Sequence, residues 1–376
     1  MSLSLALLQS CRADKGEVGQ EALSPILFSP CGTYVTTKTT NANYPTDKNK
    51  PSDVSTLIKE GNEAGVYGDW VPDWDNQSVY DALFVNRRLR CDAVYYDDPA
   101  DPTSFDPTDH NSSLWNYDPL EYWKDSGIYI FLAVSPYGAS DNVLDRTNHL
   151  LKLSYRAGTN KDLMIARNSR DRSTQGKDRV QMSFKHVTSA VRFLFSTAAD
   201  EGDSYVLTNF HLENIKPRGT LTISTRLQSA IDLSRLDTEG GWTAGAIGVL
   251  NTLFAWEADT GSPTYEPMVI RYPGTAHASD PTYYTQMGWY YMVPQELDSG
   301  ASVSFSVSYN GEDPVTTTIN ISDSDHTAPD SNPDKWLPNH VYNYYIKLSS
   351  GSVNVNVMTQ DWTEVDITTD PFMFEG

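Results

Sequence analysis

The 376-residue chain has only three cysteines, Cys11, Cys31 and Cys91. That is too few for a disulfide-stapled scaffold, so its stability has to come from apolar burial. It has no run near 18 apolar residues, which excludes a membrane-spanning helix read from sequence. Basic residues are scarce too: 28 Lys and Arg against 49 Asp and Glu leave a net charge of −21. A chain this acidic has no electrostatic footprint for phosphate backbones, so nucleic acid is not expected as a partner. Anionic membrane surfaces repel it, and membrane attachment then requires a covalent anchor or an inserted segment.

Catalytic signatures are missing as well. The seven histidines never fall in H-x-H or H-x-x-x-H spacing, and no G-x-S-x-G elbow, phosphate-binding loop or G-x-G-x-x-G occurs. Neither an enzyme nor a cofactor is expected. A hydrolase would rest only on the abundance of carboxylates. His186, in Phe184-Lys185-His186-Val187-Thr188-Ser189, has no carboxylate at a useful spacing and reads as a structural histidine. The Asp97–Asp109 cluster lacks the ligand spacing of a calcium loop and reads as a solvated loop. Cys31 and Cys91 are compatible with either a disulfide or buried thiols.

What the sequence has is alternation. In Ser302–Tyr309, Val303, Phe305, Val307 and Tyr309 point one way and four serines the other. Val353, Val355 and Val357 alternate with Asn354 and Asn356, and Tyr342, Tyr344, Ile346 and Leu348 share a face. Such patterns belong to antiparallel strands with one buried face. Ile128–Val134 is apolar on both faces and reads as a central strand. Shorter strands are expected at Pro25–Phe28, Val206–Leu212, Gly219–Ser224, Pro267–Tyr272 and Trp289–Val293. Asp141–Lys152 is the one stretch with helical periodicity. The basic run Arg167–Arg179 reads as an exposed linker.

The expected fold is all-β, with two tandem sandwiches. Residues 1–21 form a signal and tether, 22–182 an N-terminal domain and 183–376 a C-terminal domain. Residues 1–10 are apolar and end before Cys11 as Leu8-Gln9-Ser10-Cys11, which resembles a bacterial lipobox. Cys11 is therefore the expected lipidation site and the only membrane attachment. Trp70, Trp74, Trp115 and Trp123 form a Trp-rich region that could stack on sugars, which leaves a second reading: a lipid-anchored surface protein binding glycans or host ligands.

Several separated motifs, in order along the chain, resemble the fimbrillins, the Bacteroides-type (type V) pilins and their Mfa-like relatives. They are Phe28 through Thr37-Lys38-Thr39; Tyr122-Trp123 followed by Ile128–Tyr137; Asp162-Leu163-Met164-Ile165-Ala166; and Phe184-x-His186-x-x-Ser189. Trp336–Tyr344 resembles the family's W-x-P/A-G-x-x-Y-x-Y, with Asn339-His340 where glycine is usual, and Asp361-Trp362 resembles its closing D-W.

This resemblance implies transthyretin-like sandwiches, export as an outer-membrane lipoprotein, and incorporation into a fimbria that serves adhesion. Proteolysis removes the lipidated first strand, and a neighbouring subunit fills the groove by β-strand addition. Here the exchanged strand would contain Ile26, Leu27 and Phe28. Candidate cleavage sites are Lys38, Lys48 and Lys50, since no arginine lies between Arg12 and Arg87. The donor would be the tail, where Val365 and Ile367, then Phe372 and Phe374, alternate around an interrupting Pro371. The partners implied are other fimbrial subunits, with a host protein or glycan as a further ligand.

Overall fold

The computed structural model describes residues 24–31, 63–75, 77–91, 115–157, 162–197, 205–226, 241–246, 248–250, 268–274, 283–286, 289–322, 334–349 and 352–361. Among them the chain forms 24 strands and no α-helix. The first are β1 (Phe28–Cys31), β2 (Glu63–Val71), β3 (Asp81–Cys91), β4 (Trp115–Asn116) and β5 (Ile128–Ser135). A hairpin of β6 (Asp141–Asp145) and β7 (Leu150–Arg156) leads to β8 (Met164–Asp171), β9 (Val180–Ser183) and β10 (Lys185–His186). Then come β11 (Ser189–Thr197), β12 (Tyr205–Ile215), β13 (Arg218–Ser224), β14 (Trp242–Ala244), β15 (Gly248–Leu250) and β16 (Met268–Ile270). The last are β17 (Thr285–Gln286), β18 (Tyr290–Met292), β19 (Gln295–Glu296), β20 (Ser302–Tyr309), β21 (Val315–Asn320), β22 (Lys335–Trp336), β23 (His340–Ser349) and β24 (Ser352–Asp361).

One sheet runs β10-β8-β5-β2-β3-β4-β1-β9. It curls until its far side returns to β8. Asn168 Nδ2 donates to the Gln181 carbonyl at 2.6 Å, and Arg170 Nη2 to the Arg179 carbonyl at 3.0 Å. The concave face encloses a core that includes Phe28, Phe84, Trp115, Phe131, Met164 and Phe184.

Every residue of β5 is buried, and the reason is that its two faces meet different cores. Tyr129, Phe131 and Ala133 point into the curled sheet. Leu132 and Val134 point out, against a second sheet ordered β14-β13-β7-β6. Leu151, Leu153, Tyr155, Leu221 and Ile223 supply that sheet's apolar side. Gly68 in β2 lets the concave face close, because a methyl group there would stand 2.8 Å from Phe84 and 2.9 Å from Phe131.

The remaining long strands form a sandwich. Sheet β17-β11-β23-β24, with β18 also on β11, faces sheet β15-β12-β20-β21, with β16 also on β12. Phe193, Phe195, Phe210, Phe305 and Tyr344 lie in the core between them. The alternation of Ser302–Tyr309 works as expected here: Val303 and Phe305 enter the core. On the other face Ser306 Oγ meets Thr316 Oγ1 at 2.8 Å. Asn339 adopts a left-handed φ of 60°, a conformation that asparagine tolerates better than most residues other than glycine.

Two expectations are corrected. Asp141–Lys152 is no helix but the β6–β7 hairpin, closed by Asn148 N–H donating to Asp145 Oδ1 at 3.1 Å. Its period is set by Leu151, Leu153 and Tyr155, which bury on one face while β7 pairs with all of β13. Tertiary pairing overrides the local pattern. Arg167–Arg179 is no exposed linker either. Its first part lies in β8, paired along its length with β5, and Arg167 is 2% exposed with Nη1 directed to the Ser224 carbonyl at 3.3 Å. The β7–β13 pairing also joins strands from either side of residue 182 in one sheet.

The passage from β10 to β11 is fixed by a buried polar node. Asp162 Oδ2 lies 2.5 Å from His186 Nδ1, and Thr188 Oγ1 donates to Asp162 Oδ1 at 2.8 Å. Val187 N–H bonds the Leu163 carbonyl, Trp242 Nε1–H the Val187 carbonyl, and Asn339 N–H the Thr188 carbonyl. The carboxylate that His186 lacks in its local sequence thus comes from 24 residues upstream.

Two outcomes follow from this packing. Gly68→Ala should destabilise by about 1–3 kcal/mol through overpacking, read as a lower denaturant midpoint with an unchanged slope. Asp162→Ala should cost about 3–5 kcal/mol, because it strands the buried His186 and Thr188 groups. A loss under about 1 kcal/mol in the same denaturation experiment would show that the node is not holding the passage together.

Candidate functional site

Ser24–Cys31 threads between segments distant in sequence. Pro25 bridges Tyr122, Ile26 N–H donates to the Glu121 carbonyl at 2.8 Å, and Trp123 N–H to the Ser24 carbonyl at 3.0 Å. Val180 N–H then bonds the Leu27 carbonyl at 2.8 Å. From Phe28 onward β1 runs parallel to β9 in register Phe28↔Val180 to Cys31↔Ser183, and Phe28 also pairs with Trp115 of β4. The strand is therefore interior to its sheet, and β9 reaches β4 only through it.

The side chains follow a strand period. Ile26 and Phe28 are fully buried and Leu27 is half-buried. The Phe28 ring sits 5.4 Å from Phe84, 5.9 Å from Tyr117 and 5.2 Å from Phe131, edge to face in each case. That is the preferred aromatic arrangement, adding about 0.5–1.5 kcal/mol per pair to plain burial. Tyr117 Oη donates to the Ile26 carbonyl at 2.6 Å. Burial pushes the Tyr117 phenol up to about 12, with the Glu121 backbone contact opposing, so it stays a neutral donor. Without the first strand, the site is a slot with aromatic walls and unpaired backbone along β9.

Of the residues singled out from sequence, Ile26, Leu27 and Phe28 lie in this slot. Cys11, Lys38, Lys48, Lys50, Val365, Ile367, Phe372, Phe374 and the Asp97–Asp109 cluster lie outside the described residues. No local pattern marks Phe84, Tyr117 and Phe131 as the slot's walls, because they come from three separate segments. Tyr117 carries no local signal beyond being aromatic.

The tryptophans do not form a sugar-stacking platform. Trp115 and Trp123 are core residues, 1% and 3% exposed. Trp70 packs against the same core, its Nε1–H on the Ser126 carbonyl at 2.8 Å and Lys124 Nζ 3.7 Å above its ring. Trp74 covers Val71, Ile128 and Ile130. Among the described residues, no group of three or more His, Cys, Asp or Glu is placed to hold a metal ion. No helix among them is long and apolar enough to cross a membrane.

Solved structures share this fold. A fimbrial protein from Bacteroides vulgatus is 12% identical, with a TM-score of 0.50 over 90% of this chain and 99% of its own. A candidate cell adhesion protein from Bacteroides ovatus is 15% identical, with a TM-score of 0.51 over 91% of this chain and 99% of its own. No curated protein matches the sequence. The family model described as fimbrillin-like matches residues 92–362, most of the chain and most of the motifs that carry the resemblance. The chain belongs to the fimbrillin-like family.

Proposed function

We propose that the chain is a structural, non-catalytic subunit of a cell-surface fimbria, polymerising by strand exchange and contributing to adhesion. The observation that carries this reading is the first strand itself: a short segment, interior to its sheet, that fills an aromatic slot. Family membership supports the fimbrial role.

The energetics suit an exchange. Removing the strand forfeits the burial of Ile26 and Phe28, about 1.5–3 kcal/mol each, and leaves β9 and β4 with unpaired backbone. A neighbour's strand with apolar residues at alternate positions would restore both terms. The tail after β24 offers Val365 with Ile367 and Phe372 with Phe374 at that spacing. In this reading Cys11 is lipidated and anchors the precursor in the outer membrane, and cleavage at Lys38, Lys48 or Lys50 releases the strand. Residues 22–182 and 183–376 form the two sandwich domains, with the β6–β7 hairpin added to the second domain's strand β13. The Trp-rich region offers a glycan few free rings, since Trp115 and Trp123 are buried and Trp70 and Trp74 are partly buried against the cores.

A chain beginning at residue 39, with its tail intact, should form ladders on a non-boiled gel. Removing residues 365–376 should collapse them to monomer. Strictly monomeric behaviour of the first form would overturn strand exchange. In the uncleaved chain, Phe28→Ala should lower unfolding stability by about 3–5 kcal/mol by denaturant titration, since it empties the centre of the slot.

A further inference from the structure

Strand β9 is held in the curled sheet by different means on its two edges. Toward β1 the edge is an ordinary ladder: the pairs run from Phe28↔Val180 to Cys31↔Ser183, and Val180 N–H reaches the Leu27 carbonyl at 2.8 Å. Successive residues of an extended strand turn their backbone groups to opposite edges, so Arg179 and Gln181 present theirs toward β8. There side chains stand in for a backbone ladder. Asn168 Nδ2 donates to the Gln181 carbonyl at 2.6 Å, and Arg170 Nη2 to the Arg179 carbonyl at 3.0 Å.

Both donors occupy positions suited to core residues. They continue the row of Met164 and Ala166, which lies in the concave core, and stand opposite Phe131 and Tyr129 of β5 in that same core. Apolar side chains there would have extended the core. An amide and a guanidinium reach across to β9 instead, Asn168 meeting Gln181 and Arg170 meeting Arg179 as the partners of an antiparallel pair would. The turn between the two strands is also tied without help from β1. Ser173 N–H donates to Asp171 Oδ1 at 2.8 Å, Gln175 N–H to the Asp171 carbonyl at 2.8 Å, and Arg172 N–H to the Gly127 carbonyl at 2.9 Å. Beyond β9, β10 pairs with β8. Loss of β1 would therefore strip β9 of its ladder and leave every one of these contacts in place.

We propose, taking strand exchange as the route of assembly, that Asn168 and Arg170 are positioning residues that hold β9 while the slot is vacant. The incoming strand of a second copy then meets a preformed edge. Without the two donors the vacant slot closes, because its aromatic walls gain by burying themselves against β9.

Asn168→Leu with Arg170→Met keeps bulk and removes both donors. In the uncleaved chain, amide hydrogen exchange across residues 178–184 should quicken about tenfold in this variant, with β2, β5 and the denaturant midpoint little changed. Unchanged exchange there would overturn the clamp, whether or not subunits exchange strands. If the double variant does not fold, Asn168→Leu alone serves, since Asn168 is only half-buried. A protease site inserted after Lys48 of the full chain can then be cut after folding, and uptake of a labelled peptide of residues 362–376 followed. The wild-type sequence should take up the peptide about tenfold faster than the variant, whose slot has to reopen first. Equal uptake would overturn the clamp's role in assembly. No uptake by the wild-type sequence would overturn strand exchange itself, and the clamp's purpose with it.

Discussion

The Phe28 ring is held edge-on by Phe84, Tyr117 and Phe131, which come from β3, the segment after β4, and β5. Phe84 in turn meets Tyr117 at 5.3 Å and Phe131 at 6.0 Å, so the four rings tie these three segments and the first strand together around one point. The strand carrying Phe28 is also the sole link between β4 and β9 in the sheet order. Because β9 leads through Phe184 into β10, the same contact positions the Asp162–His186–Thr188 node and the start of β11. A segment of a few residues therefore completes the first core and seats β9 beside β4 in the sheet.

Burial on both faces of the central strands is the second constraint. β5 separates the curled-sheet core from the layer under β13 and β7, and β11 does the same in the sandwich, with Phe193 and Phe195 on one side and Ala190 on the other. A strand buried twice cannot shift register without mispacking two cores at once. Polar residues at such positions therefore need dedicated partners. Arg167 meets the Ser224 carbonyl, and Arg192 stacks on Trp289 with its centre 4.3 Å from the ring and its Nε bonded to Asn343.

Strand identity was legible wherever one face meets a core and the other meets water or small polar groups, as in Ser302–Tyr309. The two-sided apolar run Ile128–Val134 was equally plain. What escaped sequence reasoning has one physical origin: partners supplied from far along the chain. Asp141–Lys152 spaces its apolar residues ambiguously, and only pairing with β13 decides for a strand. Arg167 and Arg170 look like linker residues until β5 is laid beside them. His186 seemed to lack a carboxylate because Asp162 is brought to it by the β8–β10 pairing. In the slot, the residues that enter, Ile26 and Phe28, show the period of two, whereas the walls that receive them are scattered aromatics with no pattern.

Register also decides what an incoming strand must look like under the proposed exchange. The slot holds apolar side chains two residues apart, Ile26 and Phe28, with a half-buried position between them, and an incoming strand would have to match that pattern. Val365-Asp366-Ile367 meets this with β-branched residues and a polar middle residue, and Phe372-Met373-Phe374 meets it with rings the size of Phe28. Pro371 removes a backbone donor just ahead of the second triplet, so the first can keep a longer ladder against β9. A slip of one residue would direct Asp366 at Phe84 and Phe131. Burying that unpaired carboxylate costs more than the aromatic slot returns. In the proposed exchange the acidic residue would therefore set the register as firmly as its apolar neighbours favour it.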